Sequence, residues 1–204
     1  RAEEGVRGFV VPTATPGFTA VPIGPKLGMR ASVQAEITLD AVALPEDAVL
    51  PGVVGLRGPF TCLDEARYGI LWGAMGAARD AYEAARDHAL ARRQFGTPVA
   101  GFQLTQQKLV DMVLEIQKGT LVALRSGRLK DAGTLTSAQI SLGKLNNVRE
   151  ALAVCRSART ILGGDGLTLE HSPMRHAANL EGVRTYEGTD EIHTLILGRA
   201  LTGL

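Results

Sequence analysis

The chain has 204 residues, 45% of them hydrophobic, and a formal net charge of +1. That apolar content can fill the core of one domain or one and a half, and the near-neutral balance excludes an electrostatic case for nucleic acid or an anionic membrane surface. No run reaches the roughly 18 to 20 apolar residues of a bilayer-spanning helix, and Arg1-Ala2-Glu3-Glu4-Gly5 lacks the apolar stretch of a secretory leader.

The first 56 residues read as β. Gly8 to Pro12 is a short apolar run and Thr15-Pro16-Gly17 a turn. From Val33 to Asp40 the alternation is strict, with Val33, Ala35, Ile37 and Leu39 on one face, which predicts a half-buried strand. Pro45 and Pro51-Gly52 close the segment. Two or three strands do not make an independently stable sheet, so the chain reads as the C-terminal portion of a longer protein.

After residue 60 the pattern is helical. A first helix is predicted over about Asp64 to Arg92, with Tyr68, Leu71, Trp72, Met75, Ala78 and Tyr82 on its apolar face. Its many Gly and Ala positions permit close helix contact. A second covers about Leu104 to Lys130, its stripe built from Leu109, Met112, Val113, Ile116, Ala123 and Leu124. The third opens on a capping box at Thr136-Ser137-Ala138-Gln139 and carries Leu142, Leu145, Val148, Leu152 and Cys155 to a Gly163-Gly164 stop. The last, Asp190 to about Leu201, is apolar nearly all round and is expected to be buried. Long helices joined by modest loops predict a mainly α architecture, an up-and-down four-helix bundle.

Cys62 and Cys155 lie far apart without metal-ligand spacing, which predicts buried thiols in a reducing compartment. The histidines, His88, His171, His176 and His193, form no metal pattern either, and His193 suits packing or hydrogen bonding. Thr185-Tyr186-Glu187-Gly188-Thr189 carries most of the functional information. A carboxylate sits between an aromatic residue and a glycine, one step before a Thr-capped apolar helix. Such an acid is either a solvated loop residue before an ordinary N-cap or a general base in an apolar pocket, and on physics alone the first is commoner.

Four stretches, in order, resemble the acyl-CoA dehydrogenase family, and within it the glutaryl-CoA dehydrogenase branch. They are Cys62-Leu63-Asp64-Glu65-Ala66-Arg67-Tyr68-Gly69-Ile70, Arg92-Arg93-Gln94-Phe95-Gly96 with Gln103 following, Ile161-Leu162-Gly163-Gly164-Asp165-Gly166, and Thr185 to Thr189 running on through Leu195-Ile196-Leu197-Gly198-Arg199. The resemblance covers essentially the whole chain. It implies the last part of a middle β-domain, residues 1–56, followed by the C-terminal helical domain, residues 57–204.

The resemblance also implies flavin-dependent α,β-dehydrogenation of an acyl-CoA thioester. Glu187 stands at the position of the base that removes the α-proton, and FAD takes the β-hydrogen as hydride. The thioester oxygen is held by the backbone N–H of the base residue and by the flavin ribityl chain. Phe60 and Thr61, the Cys62 to Arg67 stretch, Tyr186 and Gly188 would border the substrate. Taken alone, Asp64 reads equally well as a helix cap and Arg67 as a surface cation.

Arg92, Gln94 and Gln103 match positions that contact FAD of a neighbouring subunit, although Arg92-Arg93 by itself reads as favourable charge at a helix C-terminus. Thr160, Ile161, Leu162, Gly163 and Gly164 match a segment against the adenine end of the cofactor. Thr189, Asp190 and Glu191 match a flavin-contacting helix start. The chain departs from the branch in having Asp190-Glu191 where His-Asp is usual, Arg93 where a bulky apolar residue is common and Asp165 where Asn is. The resemblance further implies a homotetramer arranged as a dimer of dimers, electron-transferring flavoprotein as acceptor, no metal, and a cytoplasmic or mitochondrial-matrix location. A short-chain acyl-CoA dehydrogenase of another specificity and a non-catalytic assembly module are the competing readings.

Overall fold

The computed structural model describes residues 5–204, so residues 1–4, which open the segment read as lacking a leader, lie outside the described part. The chain divides into two compact units, one ending at Glu65 and the other running Ala66–Leu204.

In the first unit, β1 (Phe18–Pro22) pairs antiparallel with β2 (Ala35–Leu39), Ala20 opposite Ile37. Gly17 closes the end of this ladder at φ 87°, where an added Cβ would stand 2.0 Å from the Asp40 carbonyl oxygen. Gly8 to Pro12 forms no strand; it contributes only a bridge between Phe9 and Val49. The predicted strand at Val33–Asp40 is present in shortened form, but its expected burial is not: Val33 is 74% exposed, Ile37 60% and Leu39 55%. Two strands with no layer packed on them have no inside, so an alternating sequence alone does not bury a face.

Five α-helices follow, α1 (Arg57–Ala91), α2 (Gln103–Asp131), α3 (Ser137–Leu162), α4 (Ser172–Thr185) and α5 (Asp190–Thr202). A short hairpin, β3 (Arg93–Gln94) with β4 (Thr97–Pro98), joins α1 to α2. α1 begins seven residues ahead of the predicted start, so Asp64 is inside the helix and not at its N-cap. Of its predicted face, Leu71, Met75 and Ala78 are buried and Tyr82 packs against the core, whereas Trp72 is 40% exposed. The buried stripe is completed by Arg67, Ala74, Ala81, Ala85 and Ala89. The indole N–H of Trp72 donates to the Tyr68 hydroxyl at 3.2 Å, an aromatic pair on the flank of the helix.

α3 is the central helix and packs against α2, α4 and α5. Its start is as predicted: the Thr136 hydroxyl accepts from the Gln139 N–H, and the Gln139 side chain accepts from the Thr136 N–H. Leu142 is 51% exposed, contrary to expectation, while Lys144 and Asn147 are buried in its place. Asn147 Nδ2 donates to the Leu71 carbonyl at 3.0 Å and to the Gly119 carbonyl at 2.9 Å, tying α1, α2 and α3 together. The α1–α3 contact is close elsewhere too, since Leu71 is packed over Gly143.

α4 was not anticipated. It buries only Pro173, Ala177 and Leu180, too sparse an apolar pattern to stand out among Arg, His and Asn. α5 is not buried as expected. Only Asp190 and His193 are buried, Ile196 and Leu197 are half-buried, and Leu195 and Leu201 are 68% and 84% exposed. Lying mainly along α3, it has an inner edge and a wide outer face. Cys155 is in the core, its thiol pushed up to about 12 by burial and then by Asp80, which makes it inert. Cys62 is exposed, against the expectation of two buried thiols. No helix among the described residues is long and apolar enough to cross a membrane.

Candidate functional site

A cavity of about 700 Å³ opens between α1 and α4. That is within the range of small-molecule sites. Its α1 wall carries Gly69, Gly73 and Gly76, and nothing lies within 4 Å of where a Cβ at these positions would be. These glycines therefore hollow the wall, where the sequence suggested close helix contact. Leu180 and Val183 of α4 face them, Tyr186 and Glu187 also line the space, and so do Asp80 and His176. His176 Nε2 lies 2.9 Å from Asp80, a pair that ties α4 to α1. The Asp80 carboxyl is lowered below its usual range by the Ser172 hydroxyl, against desolvation, with His176 adding to the effect.

Glu187 occupies the left-handed region at φ 57°, unusual for a residue with a side chain. Such a backbone costs about 1–3 kcal/mol and persists only where its surroundings impose it. Those surroundings are two buried cations. Arg67 of α1 donates Nε–H to the Glu187 carbonyl at 2.7 Å. Lys144 of α3 donates to the carbonyls of Tyr186 and Gly188, both at 2.5 Å. Arg67 is 8% exposed and Lys144 2%. Burial, and then Arg67, bring Lys144 down to about 8, with Glu187 and Asp190 pulling the other way.

Gly188, at φ 97°, presses against His193, and a Cβ there would stand 3.0 Å from the ring nitrogen Nε2. His193 is brought down to about 4 by burial and by Lys144 and Arg67, so it is neutral near pH 7, and its ring meets the Gly188 backbone. One Glu187 oxygen, Oε2, is buried without a partner. A buried carboxylate oxygen left unsatisfied is costly, which suits a group that waits for a ligand.

Asp190, 6% exposed, sits at the first turn of α5 behind the Thr189 cap. Burial pushes its pKa up, but bonds from Arg149 at 2.9 Å and Arg184 at 2.7 Å push it down further, leaving it below 3.8. A group with a depressed folded pKa contributes stability in full above its unfolded pKa and loses it as pH falls through the folded value. Asp190→Asn is expected to cost about 1–2 kcal/mol near neutral pH, kept small because both guanidiniums are roughly half exposed and screened by solvent. In urea unfolding the gap to the wild type should close below about pH 4. A gap of undiminished size in acid would show that the carboxylate charge is not the cause.

Of the predicted site residues, the structure brings together Ala66, Arg67, Tyr186, Glu187 and Gly188, with Thr189 and Asp190 next in chain. Arg67 is not a surface cation. Phe60 to Glu65 belong to the first unit, with Phe60, Thr61, Cys62 and Glu65 exposed and Leu63 and Asp64 half-buried. Arg92, Gln94 and Gln103 lie at and after the end of α1, all exposed. Thr160, Gly163 and Gly164 are exposed at the end of α3, while Leu162 is in the core and the half-buried Ile161 packs against it. Glu191 is exposed on α5. Guanidinium and amide donors at the α1–α2 connection and glycines that admit a close backbone approach suit a phosphate-bearing cofactor in their chemistry. Among the described residues no group of three His, Cys, Asp or Glu could hold a metal ion.

Sequence reasoning missed Lys144, Asn147 and the whole α4 wall. Lys144 had left a signal: it stands between Ile140 and Val148 at four-residue spacing, a lone charge in an apolar stripe.

A family model described as acyl-CoA dehydrogenase, C-terminal domain, matches residues 55–202. The human mitochondrial short-chain specific acyl-CoA dehydrogenase is 34% identical over 196 residues, 95% of this chain and 47% of that protein. A glutaryl-CoA dehydrogenase from Mycobacterium smegmatis superposes with a TM-score of 0.97 at 61% identity, covering 99% of this chain and 52% of that one. Another glutaryl-CoA dehydrogenase structure from the same organism, in complex with FADH2, gives a TM-score of 0.97 at 56% identity over 99% of this chain and 52% of that one. The chain thus spans about half the length of the relatives it matches. Since the family match extends from the start of α1 to the last residue of α5, the helices that build the cavity and its clamped glutamate are those of a C-terminal domain of the acyl-CoA dehydrogenase family, to which this chain belongs.

Proposed function

We propose that this chain is the C-terminal part of an FAD-dependent acyl-CoA dehydrogenase acting on glutaryl-CoA, which it oxidises and decarboxylates to crotonyl-CoA. The observation that carries the proposal is Glu187: its carboxylate lines the cavity, with one oxygen buried and unpartnered, on a backbone held by Arg67 and Lys144. In this reading Glu187 removes the α-proton of the bound thioester. FAD, when bound, supplies the acceptor for the β-hydrogen as hydride.

Negative charge gathers on the thioester oxygen as the proton leaves, so a donor there lowers the barrier. The Glu187 N–H suits that role, since among the described residues it has no protein acceptor. Tyr186, 42% exposed beside the base, would border the acyl chain together with Ala66 and Ile70. Arg92, Gln94 and Gln103 would hold FAD of a neighbouring subunit, and Thr160, Gly163, Gly164 and the α5 N-terminus its other contacts. The exposed leucines of α5 suit burial in a homotetramer, and electron-transferring flavoprotein is the acceptor in this proposal.

The 61% identity to a glutaryl-CoA dehydrogenase supports the choice of substrate over the 34% identity to a short-chain enzyme. The short-chain reading is favoured instead by the curated relatives at 33–35% identity, most of them short-chain specific. Anaerobic addition of glutaryl-CoA to the intact holoenzyme is expected to bleach the oxidised flavin band. A site that binds the distal carboxylate should prefer glutaryl-CoA to butyryl-CoA by about 10²-fold or more in kcat/KM. A butyryl preference would establish the short-chain reading, and a flavin left oxidised by every acyl-CoA would sink both. The same preparation should sediment as a tetramer and turn over with electron-transferring flavoprotein.

A further inference from the structure

Three consecutive carbonyls, of Tyr186, Glu187 and Gly188, are held by only two side chains, and both are buried cations from different helices. We propose that Lys144 is a positioning residue for the reaction: by binding the carbonyls on either side of Glu187 it sets the aim of both the carboxylate and the Glu187 N–H. The inference rests on the reading of Glu187 as the base.

The argument is geometric. A trans peptide directs its C=O and N–H to opposite sides. With the Tyr186 carbonyl bound to Lys144, the Glu187 N–H must point away from α3. The second bond, to Gly188, fixes the plane of the next peptide but one, so the backbone on both sides of Glu187 is anchored to one nitrogen. Between these anchors the left-handed φ of 57° determines where the side chain leaves the backbone. Arg67 holds the carbonyl in the middle from the α1 side. On the far side the loop cannot retreat, because Gly188 already touches the His193 ring.

Neutral side chains in the neighbourhood do not take over this task. A neutral His193 carries one N–H, which meets only the Gly188 backbone and cannot bridge two carbonyls. The Ser141 hydroxyl, one helical turn before Lys144, is buried without a partner. Charge-assisted bonds from an ammonium are the stronger kind, and here each is made to a carbonyl that α4 and α5 leave unused. The Lys144 nitrogen also lies 5.9 Å from the centre of the Tyr186 ring, so the same cation steadies the residue beside the base.

The test uses the flavin-loaded intact enzyme. Lys144→Met should lower the rate of flavin reduction at saturating glutaryl-CoA by about 10²-fold, as expected for a misplaced reacting group. Binding of a non-oxidisable acyl-CoA thioether, read from the flavin spectrum, should change by less than about threefold, because the lysine does not touch the ligand. Lys144→Arg, which keeps the cation, should recover most of the rate.

Glu187→Gln separates the two ways of failing. If that variant still reduces flavin, the base reading is wrong and this inference falls with it. If it is inactive while K144M reduces flavin at the wild-type rate, the positioning role alone is wrong. Loss of thioether affinity in step with the rate would likewise overturn it. Should K144M fail to hold flavin, a crystal structure of the wild-type holoenzyme decides. A Lys144 Nζ within hydrogen-bonding reach of both carbonyls, beside a left-handed Glu187, supports the role, and one beyond about 3.5 Å from both overturns it.

Discussion

Glu187→Gln is expected to lower the rate of flavin reduction by acyl-CoA by about 10³-fold or more while FAD and ligand remain bound. Removal of a general base typically costs 10²- to 10⁴-fold, and an amide of the same shape has no basicity to replace it. The substitution should leave the loop in place, because Arg67 and Lys144 hold backbone carbonyls and not the Glu187 side chain. The amide also fits a site where one carboxylate oxygen is already unpartnered. Anaerobic stopped-flow measurement of flavin bleaching reads the effect directly. Turnover near the wild-type rate would remove Glu187 as the base.

The second large effect concerns the contact that joins α1 to α3. Leu71 is completely buried, and a Cβ on Gly143 would stand 2.4 Å from its Cδ2 and 2.9 Å from its Cγ. Leu71→Ala should cost about 2–5 kcal/mol in urea unfolding, the usual range for emptying a core position. Gly143→Ala has two opposed consequences. A helical alanine is better than glycine by about 1 kcal/mol, but overpacking a closed site costs about 1–3 kcal/mol. With Leu71 present the clash prevails, since that side chain has no solvent to move into, and G143A should destabilise. In the L71A background the new methyl enters vacated space and only the helix gain remains, so the sign of G143A should reverse. Additivity of the two changes within about 0.5 kcal/mol would show that the residues do not share the space.

The structure departs from the sequence reading in places with a common cause. The capping box at Thr136 and Gln139 and the Gly163 stop of α3 were legible, because each is made by residues a few positions apart. The first helix was misread at its start and on part of its face. Asp64 looked like a beginning, yet the helix runs on from Arg57, and the buried stripe is made mostly of alanines that carry little hydrophobic weight. The aromatic residues Tyr68 and Trp72 drew the prediction to the wrong flank. α4 has too few apolar residues for its period to register, and it is helical because α1 and α3 supply surfaces for Ala177 and Leu180.

The site divides along the same line. Tyr186-Glu187-Gly188-Thr189 was recognisable as a motif, and Arg67 was picked out with its neighbours as part of a ligand site. That Arg67 instead reaches the Glu187 carbonyl, across 120 positions of chain, was not readable from either segment. Nor was the role of Lys144, although its place within an apolar stripe marked it as anomalous.

The sequence by itself determined the helical class, the main helix segments and the caps of α3 and α5, and it singled out Glu187 as the candidate base. These follow from local hydrogen bonding, from apolar periodicity and from a motif a few residues long. Only the tertiary structure decided which faces are buried, that the α1 glycines open a cavity, that α5 keeps Leu195 and Leu201 outward, and that two buried cations hold Glu187 in a left-handed backbone. A buried charge is tolerated only where distant carbonyls converge on it, and that convergence exists only once α1, α3 and the loop before α5 have come together.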